Sequence, residues 1–143
     1  MIILDTNVLS ELVKSTPEQR VLHWMDSLDS GDVATTAVTA AELWYGVRRM
    51  PDGKRRSLLA AGIDAMLYED LQGRIEVFDA TAAGRYADIV LTRERQGQPI
   101  NTADAQIAAI CASRHATLAT RNTKDFTDTG IELIDPWSHA PGV

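Results

Sequence analysis

Acidic and amide side chains gather at four places in the chain: "LDTN" at 4–7, "TAAEL" at 39–43, "INTAD" at 100–104 and "TRNTKD" at 120–125. Each stands at a boundary between predicted elements, and together they offer the oxygen donors Asp5, Glu42, Asp104, Asn122 and Asp125. Carboxylates brought within about 4–6 Å of one another repel and raise each other's pKa, so a site holding several needs a compensating positive charge. Magnesium takes one or two carboxylates, keeps several waters and completes its octahedron with phosphate oxygens. Such a centre can turn water into a nucleophile and stabilise an in-line phosphoryl transition state.

Every cluster also has a purely local explanation. Asp5, Thr6 and Asn7 are all helix-capping types. Glu42 lies three residues after Thr39, the spacing of a capping box. Asp104 falls in a first helical turn after the caps Asn101 and Thr102, where the helix dipole favours a carboxylate. Asn122 and Asp125 are ordinary turn residues. The four explanations work singly. They account less well for four such clusters falling at one edge of the sheet that the rest of the chain predicts.

That sheet is read from alternation. Short apolar runs at 2–4, 33–37, 75–78, 116–120 and 131–135 predict strands. Helical patterns lie between them at 8–13, from Pro17 to the "SGD" at 30–32, at 39–50 (opened by Thr39), 54–71, 81–96 and 103–114. Tyr86, Ile89, Val90 and Leu91 are expected to face inward. Strands alternating with amphipathic helices imply an α/β fold: a central, mostly parallel sheet of about five strands flanked by helices. In such sheets ligands bind beyond the carboxyl ends of the strands, where the strand order reverses. Asp5 ends the first strand, so its acid is expected to face that crevice while Asn7 caps the following helix.

At 143 residues the chain has the size of one domain, and we expect a single domain over 1–143 with a tail loosely held after about residue 137. No apolar run approaches the roughly 20 residues of a membrane span, and the N-terminus lacks the basic stretch of a signal peptide, so no membrane role and a cytoplasmic location are expected. Cys111 lies in the apolar "AQIAAICAS" and reads as a core residue. His23, His115 and His139 show no zinc spacing, which leaves metal chemistry to oxygen ligands. A net charge of −6 argues against a broad basic face for nucleic acid, but not against phosphate contact through a bound cation.

Read in order, "LDTNVLSEL", "TAAELWYG", "GQPINTADAQIAAICA", "ATLATRNTKDF" and "IELIDPW" resemble the PIN-domain ribonucleases, specifically the VapC and FitB-like toxins of toxin–antitoxin pairs. The likeness runs from Ile2 to about Trp137. It implies a PIN-like fold and Mg2+-dependent hydrolysis of RNA phosphodiester bonds by metal-activated water, with Mn2+ as the alternative ion. It also implies Asp5 and Asp104 as direct metal ligands and Glu42 as a ligand or a holder of ligand water. Many relatives carry an aspartate where this chain has Asn122, so the fourth position falls to Asn122, to a water it holds, or to Asp125. Thr6 and Thr120 match small hydroxyl positions that orient carboxylates or water.

The same resemblance implies a homodimer, inhibition by a cognate small antitoxin, and DNA contact only through that antitoxin. Within the motif loop Arg121 is the candidate phosphate contact, ahead of the basic run Arg48, Arg49, Lys54, Arg55 and Arg56. Trp24, Trp44 and Tyr45 are candidates for partner surfaces. Two rival readings exist. A haloacid-dehalogenase-type phosphohydrolase needs a second acid two residues after the first, and here that residue is Asn7. A catalytically weak PIN-like binding module in a promoter-binding toxin–antitoxin complex is motivated by Asn122.

Overall fold

The computed structural model describes residues 1–138. Its elements run β1 (Ile2–Leu4), α1 (Thr6–Leu12), α2 (Gln19–Asp26), β2 (Val33–Thr36), α3 (Ala37–Arg48), α4 (Lys54–Ala65), β3 (Ile75–Glu76), α5 (Ala80–Arg95), α6 (Thr102–Ser113), β4 (Thr117–Ala119) and β5 (Leu133–Ile134). The loosely held tail expected after about residue 137 falls, beyond Ser138, outside the described residues, as does His139. Among the described residues no helix is long and apolar enough to cross a membrane.

Side chains alternate across each strand, and that alternation builds two cores. Leu4, Val33 and Ala119 point to the face covered by α1, α2, α3 and α4; Ile3, Ala34 and Leu118 point to the face covered by α5 and α6. Full burial of a residue such as Leu4 or Ile107 stabilises the fold by about 2 kcal/mol. Cys111 is fully buried in the second core, as its setting implied, and burial pushes its thiol up to about 12, which leaves it unreactive.

All five strands are parallel, in the order β3-β2-β1-β4-β5. The sheet is thus wholly parallel where a mostly parallel one was expected. All carboxyl ends share one edge, and the order reverses between β1 and β4. The register pairs Leu4 with Ala119, which brings the next residues, Asp5 and Thr120, side by side at that reversal.

Several local expectations change. Helix α3 is capped by Thr36, whose hydroxyl accepts the Thr39 N–H at 3.0 Å, so the helix begins before Thr39. The helix predicted over 54–71 relaxes into a π turn at Met66–Asp70, which lets both Met66 and Leu67 reach the first core. On α5, Leu91 is 45% exposed, because the buried stripe runs through Ala82, Ile89 and Arg93 instead. Trp24 is a core residue of α2, packed in the first core, and so offers no partner surface.

Candidate active site

Asp5 sits at the end of β1 and is itself the N-cap of α1. Its Oδ1 accepts the Thr6 N–H at 2.8 Å. Its Oδ2 accepts the Thr120 hydroxyl at 2.8 Å and the Asn7 amide at 3.3 Å. Asn7 therefore does not cap the helix as expected. It spans the strand-order reversal instead, donating also to Thr120 Oγ1 at 3.2 Å and accepting the Arg121 N–H at 3.1 Å. Thr120 also accepts the Asn122 N–H at 3.1 Å, so its one proton and both lone pairs are engaged. The hydroxyl has no freedom to turn away from Asp5.

Glu42 projects from α3, too far into the helix to form the capping box. Its Oε1 accepts the Thr6 hydroxyl at 2.7 Å, and that hydroxyl lies 3.2 Å from the Thr39 hydroxyl. Asp104 occupies the first turn of α6 beneath the cap Asn101, which accepts the Asp104 N–H at 2.8 Å and donates its amide to Asp104 Oδ2 at 2.9 Å. Asp5, Glu42 and Asp104 line one cavity of about 430 Å³, together with Thr6, Asn7, Asn122 and Arg121. Asp125 is not in that wall. It lies on the 3-10 turn Thr123–Phe126, close enough for its charge to be felt at Asp104.

Burial holds the Asp5 carboxyl above its ordinary value of 3.8, and the charge of Glu42 adds to this against the hydrogen bonds from Thr120, Thr6 and Asn7. Asp104 is pushed up to about 6, first by burial, then by the charges of Asp5, Asp125 and Glu42, with the Asn101 hydrogen bond opposing. Between about pH 4 and 6 the folded chain keeps a proton that the unfolded chain has released from Asp104, so this group makes stability fall as pH rises through that window. Glu11 acts in the opposite sense. The Lys14 hydrogen bond holds its carboxyl below the ordinary range, so its contribution is present above the unfolded pKa and is lost in acid. Asp104→Asn isolates the first effect: in the presence of chelator it should be more stable than wild type at pH 7 by about 1–2 kcal/mol after allowance for solvent screening, and equal to it at pH 4. Urea titrations at the two pH values check this.

Among the described residues no three His, Cys, Asp or Glu side chains close around one point as a ready-made metal cage. Thr120, Thr6 and Asn101 hold the carboxylates of Asp5, Glu42 and Asp104, which reach the cavity from three different elements. That arrangement fits a hard cation that touches one or two carboxylates and keeps its waters, and it does not fit a tight tetrahedral site. Around the wall four carboxylates, Asp5, Glu11, Glu42 and Asp104, face only Lys14 and Arg121. The deficit of two positive charges is what one divalent cation supplies.

Sequence reasoning missed Arg93. It is 6% exposed, and its guanidinium donates to the carbonyls of Gln98 at 2.7 Å, Asp125 at 3.0 Å and Thr127 at 2.9 Å. It thereby straps the turn that leads into α6, the helix of Asp104, to the turn after β4, which holds Asn122. A signal was present, since Arg93 stands four residues after Ile89 on the apolar stripe of α5. Lys14, Glu11 and Trp137, which also line the cavity, carried no such signal. Of the proposed partner aromatics, Tyr45 is 66% exposed and Trp44 is half-buried.

Residues 2–132 match the family model described as the PIN domain. The chain is 39% identical over 140 residues to the VapC ribonuclease Y4jK of Sinorhizobium fredii, covering 98% of this chain and 100% of that one. It is 38% identical over 137 residues to the toxin FitB of Neisseria gonorrhoeae, covering 96% and 99%. Among solved structures, FitAB bound to an IR36 DNA fragment superposes with a TM-score of 0.90 at 36% identity, over the full length of both chains.

Proposed function

The chain belongs to the PIN-domain family, and on that premise we propose that it is the toxin of a toxin–antitoxin pair, a Mg2+-dependent endoribonuclease silenced by its cognate antitoxin. The observation that carries this reading is the meeting of Asp5, Glu42 and Asp104 in one cavity at the strand-order reversal, two positive charges short of neutrality. Bound there, the cation supplies a water of lowered pKa and positive charge for the phosphate oxygens. Asp5 and Asp104 are the direct ligands in this reading and Glu42 a ligand or a holder of water, with Mn2+ as the alternative ion. Thr120 and Thr6 fix the rotamers of Asp5 and Glu42, as partners behind a metal site do. In this reading the fourth position falls to Asn122, to a water it holds, or to Asp125, and Arg121 meets a phosphate from the rim.

An apolar cleft of about 700 Å³ between α1, α3 and α4 shares Thr6, Ser10, Lys14 and Glu42 with the acidic cavity. Leu58, 63% exposed, lies along it with Leu59 and Ile63. In this reading the antitoxin tail occupies the cleft and sends a basic side chain to the carboxylates, in competition with the cation. DNA is reached only through the antitoxin, and Tyr45 and Trp44 are candidate contacts of the homodimer.

The test is cleavage of single-stranded RNA by the purified chain over a Mg2+ titration. Cleavage should require the ion, stop with chelator, leave 5′-phosphate and 3′-hydroxyl ends, and persist when the 2′-hydroxyl at the cut is replaced by hydrogen. Cyclic phosphate ends or metal-independent cutting would overturn the mechanism. Asn122, an amide where many relatives are acidic, favours one alternative: a catalytically weak PIN-like module acting in a promoter-binding complex. Promoter binding with the antitoxin but no cleavage at any ion concentration selects it.

A further inference from the structure

Trp137 lines one side of the acidic cavity beside Arg121. It lies half-buried against the first core, its backbone N–H donating to Asp135 Oδ1 at 2.9 Å and its backbone carbonyl accepting from Arg20 at 3.3 Å. Over its ring, 4.9 Å from the centroid, sits the guanidinium carbon of Arg121. Arg121 is exposed, and its backbone N–H is fixed on Asn7 Oδ1 at 3.1 Å, one hydrogen bond away from Asp5. Both side chains line the cavity that holds the three acids.

The two cations of this wall are placed differently. Lys14 is engaged by Glu11 at 2.9 Å. Arg121 is in no ion pair among the described residues; Glu11 feels its charge without touching it. A lone phosphate contact needs no ring beneath it. A guanidinium carried over an indole has the ring on one side and solvent on the other, and the Arg121 side chain is exposed. That is the layered surface on which unpaired RNA bases stack, with the edge left to reach the backbone. A paired base has its faces occupied by its neighbours.

We propose that Arg121 and Trp137 form a stacking subsite for one unpaired nucleobase beside the scissile phosphate, so that the site selects a single-stranded segment. This rests on the ribonuclease reading. Arg121 makes the contact with the base and Trp137 positions Arg121.

The experiment measures steady-state cleavage of a short single-stranded RNA with Mg2+ by wild type, Trp137→Leu, Trp137→Phe and Arg121→Met. Leucine keeps the apolar filling and removes the ring; phenylalanine keeps a ring. Trp137→Leu and Arg121→Met should each raise KM about tenfold with kcat little changed, while Trp137→Phe stays near wild type. The same assay is run with an abasic residue placed in turn at each nucleotide flanking the cut. At one position the abasic substrate should cost wild type a similar factor and cost Trp137→Leu and Arg121→Met almost nothing, the coupling expected when base and side chains share one contact. A role confined to folding would not produce that coupling. Equal abasic sensitivity in wild type and Arg121→Met overturns the subsite while the ribonuclease reading stands. So does a Trp137→Leu variant altered only in inhibition by the antitoxin. A wild-type chain that cuts no RNA at any Mg2+ concentration removes both.

Discussion

Asp5→Asn and Asp104→Asn should each lower RNA cleavage by about 10³-fold while the chain stays folded. Asparagine is as good an N-cap as aspartate, so the Thr6 N–H keeps an oxygen to bond and α1 keeps its start. At position 104 the amide retains one oxygen for the Asn101 side chain. Both variants lose a negative charge in a wall whose excess of carboxylate is the reason a cation would bind, and Asp5→Asn also loses the oxygen that Thr120 and Asn7 share. The loss of charge also relieves repulsion in the metal-free chain, so Asp104→Asn should hold or raise the melting temperature. At position 5 the same relief is offset, because the amide nitrogen replaces the oxygen that accepts the Thr120 hydroxyl and the Asn7 amide, and a modest fall is expected there. Calorimetry run beside the activity assay decides the issue. Variants that are inactive because they are unfolded would make the acids structural, and variants as active as wild type would point to a contaminating nuclease.

The second large effect is expected on stability. Arg93→Met should lower the unfolding free energy by about 3 kcal/mol, read from denaturant titration. Methionine fills much of the space of the arginine stem but leaves the carbonyls of Gln98, Asp125 and Thr127 without their shared donor. Lysine should recover only part of the loss, since one ammonium on a flexible stem does not reproduce a planar fork reaching two loops. A change below about 1 kcal/mol would mean that these carbonyls find other donors at little cost.

The strands were legible because the apolar runs are short and bounded. The helices were legible where the apolar spacing is regular. The candidate site was legible at its acids: Asp5, Glu42 and Asp104 were expected near one edge of the sheet, and the structure gathers them into one cavity. What could not be read was which of several similar groups performs each local task. Thr36 and Thr39 are both capping types, and the choice depends on where β2 stops. Asp5 and Asn7 are likewise both caps, and only the register of β1 against β4 shows Asn7 needed elsewhere. Leu91 and Arg93 reverse their usual places because three backbone carbonyls, two of them more than thirty residues away, converge on Arg93, a demand invisible to local pattern.

The bond between Thr120 and Asp5 joins residues 115 positions apart, across a strand that cannot be inserted until most of the protein exists. A ribosome that has released only the first hundred residues therefore holds an unfinished cavity. On the proposed function, nuclease activity arises only when the closing strands emerge, and the interval before that is one in which a partner can bind the chain ahead of its activity.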